Sequence, residues 1–201
     1  MAPAWLEKHI VREDPSPDPR RGKEQPVFEF KYSDVEAHHR VLTVEGEATP
    51  RYDVTRRSIL IAFGDKITVT SPINGGETVA VIDFHTLPSP RTVIEFPQRR
   101  QEITVKMSTP EYESLGGLGR LRWKGTGMAL LSSASWELRD QQELIMSVAV
   151  DAQRINAMIC LWRSGLSAET IEELVIVGIS QVEGYKRMIR TSMVSAASAL
   201  A

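Results

Sequence analysis

The sequence predicts a mainly β protein with one long C-terminal helix, in which roughly twelve short antiparallel strands form a barrel around that helix. Three observations lead there. Ser167 to Ile189 combines helical period with dense apolar content; Val27 to Trp162 is written in short period-two segments separated by turn residues; and the helix is longer than those strands are tall.

Bulk properties set the frame. The chain has 201 residues, 42% hydrophobic, with a formal net charge of −2. That suits one domain with a sizeable core and argues against a dedicated nucleic-acid binder, which would be strongly basic. Cys160 is the single cysteine, so no internal disulfide can form; this fits a reducing compartment and a thiol acting as a small hydrophobe. The first dozen residues contain Glu7, Lys8 and His9 and no continuous apolar run, so no secretory signal is expected and the expected location is cytoplasmic, peripheral at a membrane, or nuclear.

In chain order, residues 1–26 are dense in proline and balanced charge, which predicts a flexible tail, with Trp5, Leu6, Ile10 and Val11 able to form one short helical turn. Residues 27–195 form the single expected domain. Its strands are VFEFKY (27–32), VLTVEGE (41–47), RYDVTR (51–56), SILIAF (58–63) and KITVTS (66–71), the last two joined by a tight turn at Gly64 and Asp65. PINGG (72–76) is a turn, followed by TVAVIDFH (78–85), RTVIEF (91–96) and QEITVKM (101–107). STPEYESLGGLG (108–119) is expected to be a connection before RLRWKG (120–125) and SWELRD (135–140). ELIMSVAV (143–150) and INAMICLW (155–162) complete the set.

The helix is expected at about 167–190, with 196–201 frayed. Ile171, Leu174, Val175, Gly178, Ile179, Val182, Tyr185 and Ile189 fall on one face, and Ile176 and Val177 widen it until the middle is apolar nearly all round. Glu172, Glu173, Glu183 and Lys186 interrupt the run short of the roughly 20 apolar residues that a membrane span needs. Ser167 can cap the first turn, and Lys186, Arg187 and Arg190 suit the negative pole. A six-residue strand spans roughly 20 Å, against about 35 Å for this helix. If the strands close around it, the middle is enclosed, with the Lys186–Arg190 end in solvent and Gly178 letting a wall strand come close. The plainer alternative is a helix lying across one open face of a β-sandwich, for which a narrower apolar stripe would suffice.

RTVIEF, the Arg-Trp-Lys strand, SWELRD and IEELVIVGISQVEGYKRMIR, taken in that order, resemble the Tubby C-terminal-like group, which includes the phospholipid scramblases and the LURP-one-related proteins. Within it the order looks most like a fungal family of uncharacterised domains. The resemblance spans about Val27 to Arg190 and implies the helix-plugged barrel. Tubby itself binds phosphoinositides through basic residues, which match no positions here. Scramblases place cysteines before the barrel and an acidic calcium segment near the helix, and this chain has neither.

Chemistry-bearing residues are sparse. Arg120, Arg122 and Lys124 alternate with Leu121 and Trp123, so three cations share a strand face that could bind phosphate or lipid headgroups, or else pair with acids on neighbouring strands. Arg99, Arg100, Arg56 and Arg57 could extend that patch if the fold brings them alongside. His38, His39 and His85 lack the further ligands a metal requires. Asp83 and His85 share a face without a nucleophile motif. Gly116, Gly117 and Gly119 lack the rest of a phosphate loop and read as a flexible hairpin. Trp123, Trp136 and Trp162 read as core anchors. The expectation is a non-enzymatic binding or scaffold module for an anionic lipid headgroup or a protein partner, without cofactor, metal, nucleic acid or transmembrane segment. The alternative is a small-molecule enzyme using the barrel mouth.

Overall fold

A computed structural model describes residues 16–58, 65–86, 89–128, 133–153 and 155–198, with side chains to Ser192. Its strands are β1 Phe28–Glu36, β2 His39–Val44, β3 Tyr52–Ser58, β4 Asp65–Ser71, β5 Glu77–His85 and β6 Arg91–Phe96. They continue with β7 Gln101–Lys106, β8 Glu111–Glu113, β9 Arg120–Met128, β10 Ala134–Arg139, β11 Leu144–Val150 and β12 Asn156–Leu161. Helix α1, Ala168–Ser198, follows.

The twelve strands form one antiparallel sheet in the order β7-β6-β5-β4-β3-β2-β1-β12-β11-β10-β9-β8. Chain neighbours pair except for β7 and β8, which lie at the two ends of the order, and β1 lies against β12, in the register Phe28↔Leu161 to Ser33↔Asn156. The two edges are β7 and β8, and the short connection between them carries an isolated bridge, Lys106↔Thr109, just before β8. The result is a nearly closed barrel around one helix, as the alternation and the helix pattern predict.

Inward positions alternate along each strand, for example Phe30 and Tyr32 on β1, Ile67 and Val69 on β4, and Leu121 and Trp123 on β9, all buried. They meet a helix that is buried at every residue from Glu173 to Ser180. Tyr185 continues the contact, edge-on to Trp136 with ring centroids 5.2 Å apart. Trp123 and Trp136 belong to this core. Trp162 is buried apart from it, its indole N–H donating to Ser147 Oγ at 2.9 Å.

The helix starts at the end of the barrel that carries the β2–β3, β4–β5, β6–β7 and β8–β9 turns, where Gly116 meets Thr170 and Arg99 reaches Glu169. It leaves through the opposite mouth, where Lys186 touches Asp34 on β1 and the backbone of Ile155 before β12. At 31 residues it is about 46 Å long, against roughly 20–30 Å for strands of six to nine residues. It therefore outruns the wall, and it extends past the 190 expected from its pattern.

Four readings need correction. The 108–119 connection contains β8, whose three residues, between Pro110 and Ser114, are too few for a period to show. Of the strand expected at 58–63, Ser58 closes β3 and the rest lies outside the described residues, as does Gly64 of the expected turn; Asp65 opens β4. The strand expected at 41–47 runs instead over His39–Val44, so His39 lies inside β2. Lys186, expected in solvent, is 6% exposed, because Asp34 on the wall supplies a counter-charge 2.7 Å away.

Within the stretch expected to be a flexible tail, residues 18–24 lie against β10. Pro19–Gly22 make one 3-10 turn capped by the Asp18 side chain, which accepts from Arg20 N. Asp18 N donates to Glu137 Oε1 at 2.7 Å, and Arg139 reaches Asp18 Oδ2 at 2.8 Å.

Gly178 has the expected role. A Cβ there would lie 3.1 Å from Ile159 Cγ2, 3.2 Å from Ile159 Cδ1 and 3.3 Å from Met146 Sδ, all on β11 and β12. We expect Gly178→Ala to stay within about 1 kcal/mol of the parent, because the helical gain of losing glycine offsets the tight contact. Gly178→Leu should lose several times that to overpacking. Urea unfolding checks both.

Candidate functional site

The cations that the sequence singles out fall in two separate places. On β9, Leu121 and Trp123 point inward, Arg120 and Arg122 are exposed and Lys124 is half-buried, so the alternation holds. The flanking strands set acids beside them. Register places Glu113 opposite Arg120 and Glu111 opposite Arg122 on β8, and Glu137 opposite Lys124 on β10. Arg120 lies 3.7 Å from Glu111. Arg99 and Arg100 sit in the β6–β7 turn at the helix start. Arg99 is engaged there, bonding the Glu172 carboxylate and the Glu169 carbonyl and lying 5.3 Å over the Phe96 ring. Arg100 adopts positive φ (53°) and is exposed. Among the described residues no hydrogen bond or ion pair joins Arg99 or Arg100 to the β9 cations.

The glycine loop serves a carboxylate of the chain itself. Glu173 is fully buried one turn into the helix, and Gly116 N donates to its Oε2 at 2.7 Å. Gly116 can have no side chain, since a Cβ would fall 2.3 Å from Thr170 Oγ1. Burial pushes the Glu173 carboxyl up, against the donors of Ser114, Gly116 and Leu115. Tyr112, raised by its own burial and by Glu173, lies alongside. Among the described residues neither its hydroxyl nor Glu173 Oε1 has a hydrogen-bond partner of normal geometry, and the two groups face each other beside the glycine loop.

The densest charge cluster lies at the helix-exit mouth. Arg40 of β2 places Nε 2.9 Å from Asp34 Oδ1 and 3.0 Å from Glu183 Oε1, with Arg40 4% exposed and Glu183 fully buried. Tyr32 OH donates to Glu183 Oε1 at 3.1 Å, and Lys186 Nζ lies 2.7 Å from Asp34 and 5.6 Å over the Tyr32 ring. A second group adjoins it: Asp65 of β4 lies 3.7 Å from Arg56 and 3.0 Å from Arg190, and Arg56 reaches His38 Nδ1 at 2.9 Å. Arg187 donates to Thr86 and lies over Phe84.

Four basic groups, Arg40, Arg56, Lys186 and Arg190, thus contact three carboxylates, Asp34, Asp65 and Glu183, and Arg187 adds a fifth positive charge beside them. Burial works against the Arg40 charge, but Glu183, Tyr32 and Asp34 outweigh it and hold its pKa up. Arg56 goes the other way: burial, then the neighbouring Arg190 guanidinium, lower it. Arg187 is likewise lowered, chiefly by burial, with Arg190 adding to it. With more basic side chains than carboxylates, this mouth carries a local excess of positive charge into which an anion fits. Arg40 Nη1 and Arg56 Nε are buried without a hydrogen-bond partner among the described residues.

Around this mouth stand exposed apolar side chains: Val35 at the end of β1, Met107 after β7 and Ile155 before β12, each between 43% and 55% exposed. No single stretch of sequence announces the cluster, because its members are spread from residue 32 to residue 190.

The remaining candidates are isolated. His39 pairs with Asp53 at 3.1 Å and His85 with Asp83 at 3.8 Å. Among the described residues no three acidic, histidine or cysteine side chains group as metal ligands, and no helix is long and apolar enough to cross a membrane. Burial, first, pushes the Cys160 thiol up to about 11, so it is a poor nucleophile. No protein-family model, curated protein or solved structure matches the chain.

Two outcomes follow from the buried acids. Because the folded-state pKa of Glu173 is raised above the usual 4.5, the folded chain holds this proton more tightly than the unfolded one. Stability should be greatest below that usual value and decline as pH rises through the folded value. Glu173→Gln should remove the decline, so denaturation midpoints measured across pH should show the variant gaining on the parent toward neutrality. At the other end, Glu183→Leu should cost about 3 kcal/mol, because the buried Arg40 then keeps only the more exposed Asp34 as a counter-charge in contact among the described residues. Adding Arg40→Leu should recover at least about 1 kcal/mol of the summed losses in a double-mutant cycle.

Proposed function

We propose that the protein is a non-enzymatic binding module that docks on anionic phospholipid through the helix-exit mouth. The observation that carries this reading is the coincidence, at one end of the barrel, of a cationic centre and an apolar rim. Arg187 and Arg190 stand half-exposed beside the buried Arg40 and the half-buried Arg56, whose Nη1 and Nε, without a hydrogen-bond partner among the described residues, add donors beneath them. Val35, Met107 and Ile155 surround them. A headgroup phosphate needs converging donors, and the acyl boundary beside it accepts apolar side chains, so membrane surfaces select this pairing.

The filled interior supports a surface function over chemistry inside the barrel. The helix takes up the space that a ligand cavity would need. The reading carries a location with it, peripheral at the cytoplasmic leaflet, where anionic lipids concentrate.

The test is co-sedimentation with phosphatidylcholine vesicles, with and without anionic lipid. The full chain should pellet with the anionic vesicles only. Arg187→Ala with Arg190→Ala should weaken binding about thirtyfold, at about 1 kcal/mol for each basic residue near the surface. Met107→Asp should weaken it further, whereas Arg120→Ala with Arg122→Ala on β9 should leave it unchanged. Equal recovery with both vesicle types would refute the proposal, and loss through the β9 pair alone would move the site to that wall.

A further inference from the structure

We infer that the outer wall of β9 and β10, together with the Trp162 carbonyl just after β12, is a recognition groove for a turn-forming, arginine-bearing peptide, which residues 18–24 of this chain occupy as a tethered internal ligand. Ser135, Glu137 and Arg139 are the outward positions of β10. A carboxylate there would face water on a bare barrel, yet Glu137 is 0% exposed, because the 18–24 strap lies across it.

Asp18, Arg20 and Arg21 of the strap each meet a matching group on the wall, while Glu24 pairs with Arg20 within the strap. The Asp18 carboxylate takes Arg139, and its backbone N–H gives to Glu137. The Arg21 guanidinium is read on two edges. Nη1 donates to Thr126 Oγ1 at 3.2 Å and Glu137 Oε1 at 3.3 Å, and Nη2 donates to Ser135 Oγ at 3.1 Å. Arg20 Nη2 donates to the Trp162 carbonyl at 3.2 Å. Two hydroxyls and a carboxylate around one planar cation form a built arginine site.

The chemistry of the contact favours reversible docking. The 3-10 turn of the strap contains no buried residue, so its departure exposes little apolar surface. Apolar side chains would anchor a purely structural segment more strongly than an ion pair that must first be desolvated. What the polar contact confers is selectivity, for an acidic residue followed by proline and two arginines. Val27 N donates to Leu161 O at the start of β1, a few residues after the strap. That short tether gives the strap an effective concentration on the order of millimolar. A partner peptide of the same chemistry therefore competes poorly until the strap is weakened.

The experiment uses a fluorescent peptide of sequence SPDPRRGKE, titrated against the full chain and monitored by anisotropy. The parent should bind it weakly. Arg20→Ala with Arg21→Ala in the chain should vacate the groove and tighten peptide binding by about tenfold or more. Adding Glu137→Gln, or replacing both arginines of the peptide by alanine, should abolish that gain. Thermal unfolding of each variant is followed alongside. A strap variant that unfolds cooperatively but binds no peptide would overturn the inference. So would one that loses cooperative unfolding, because the strap would then be part of the fold. A concentration-dependent dimer of the strap variant, with no peptide binding, would also overturn it.

Discussion

A helix surrounded by sheet has no solvent face, and this one constraint organises the molecule. Glu173 to Ser180 are all buried, so apolar residues must cover the full circumference instead of one stripe, and the wall must supply an inward side chain from every direction. The tightest approach falls where the helix has no side chain, at Gly178 facing Ile159 and Met146. The same enclosure explains why β1 and β12 must pair: without that ladder the wall would remain open on one side of the helix.

The constraint also decides where polar chemistry can sit. Two carboxylates on the enclosed helix are answered locally, Glu173 by the glycine loop at the start and Glu183 by Arg40 and Tyr32 near the exit. These groups close the ends of the barrel and do not open a cavity in it. Whatever the protein recognises therefore meets its rim or its outer wall, and both surfaces carry arranged charge: cations crowd at the exit mouth, and the wall at Glu137 holds an arginine.

Much of this fold could be read from the sequence, for a physical reason. Strand alternation and helical period are local, and burial on one face imprints them residue by residue, as in Arg120 to Lys124 and Ile171 to Ile189. Comparing helix length with strand height then led to enclosure. The misses are all matters of distant pairing. Lys186 looks like a solvent-facing C-terminal cation until Asp34, 152 positions earlier, lies beside it. The acids beside Arg120 and Arg122 belong to β8, a strand too short for its period to show. The DPRRG segment has the composition of a disordered tail, because its anchor is a carboxylate 119 residues away and it contributes no apolar side chain. The exit-mouth cluster is the extreme case, assembled from β1 to β4 and the helix, so that Asp34 and Arg40 meet Glu183 and Lys186 from the far end of the chain.

The order of the elements along the chain matters for how the protein can be made. All twelve strands precede the helix, so during vectorial synthesis the wall leaves the ribosome before the element it must surround. Until the residues around Ile179 have emerged, the inward side chains of the strands have no partner, and β1 has to wait for β12 across more than a hundred residues. Non-local closure of this kind is slow. A nascent chain stalled before α1 would present an apolar sheet with two open edges, the surface on which holding chaperones act and aggregation begins. Release of the helix is the step that turns that liability into a barrel.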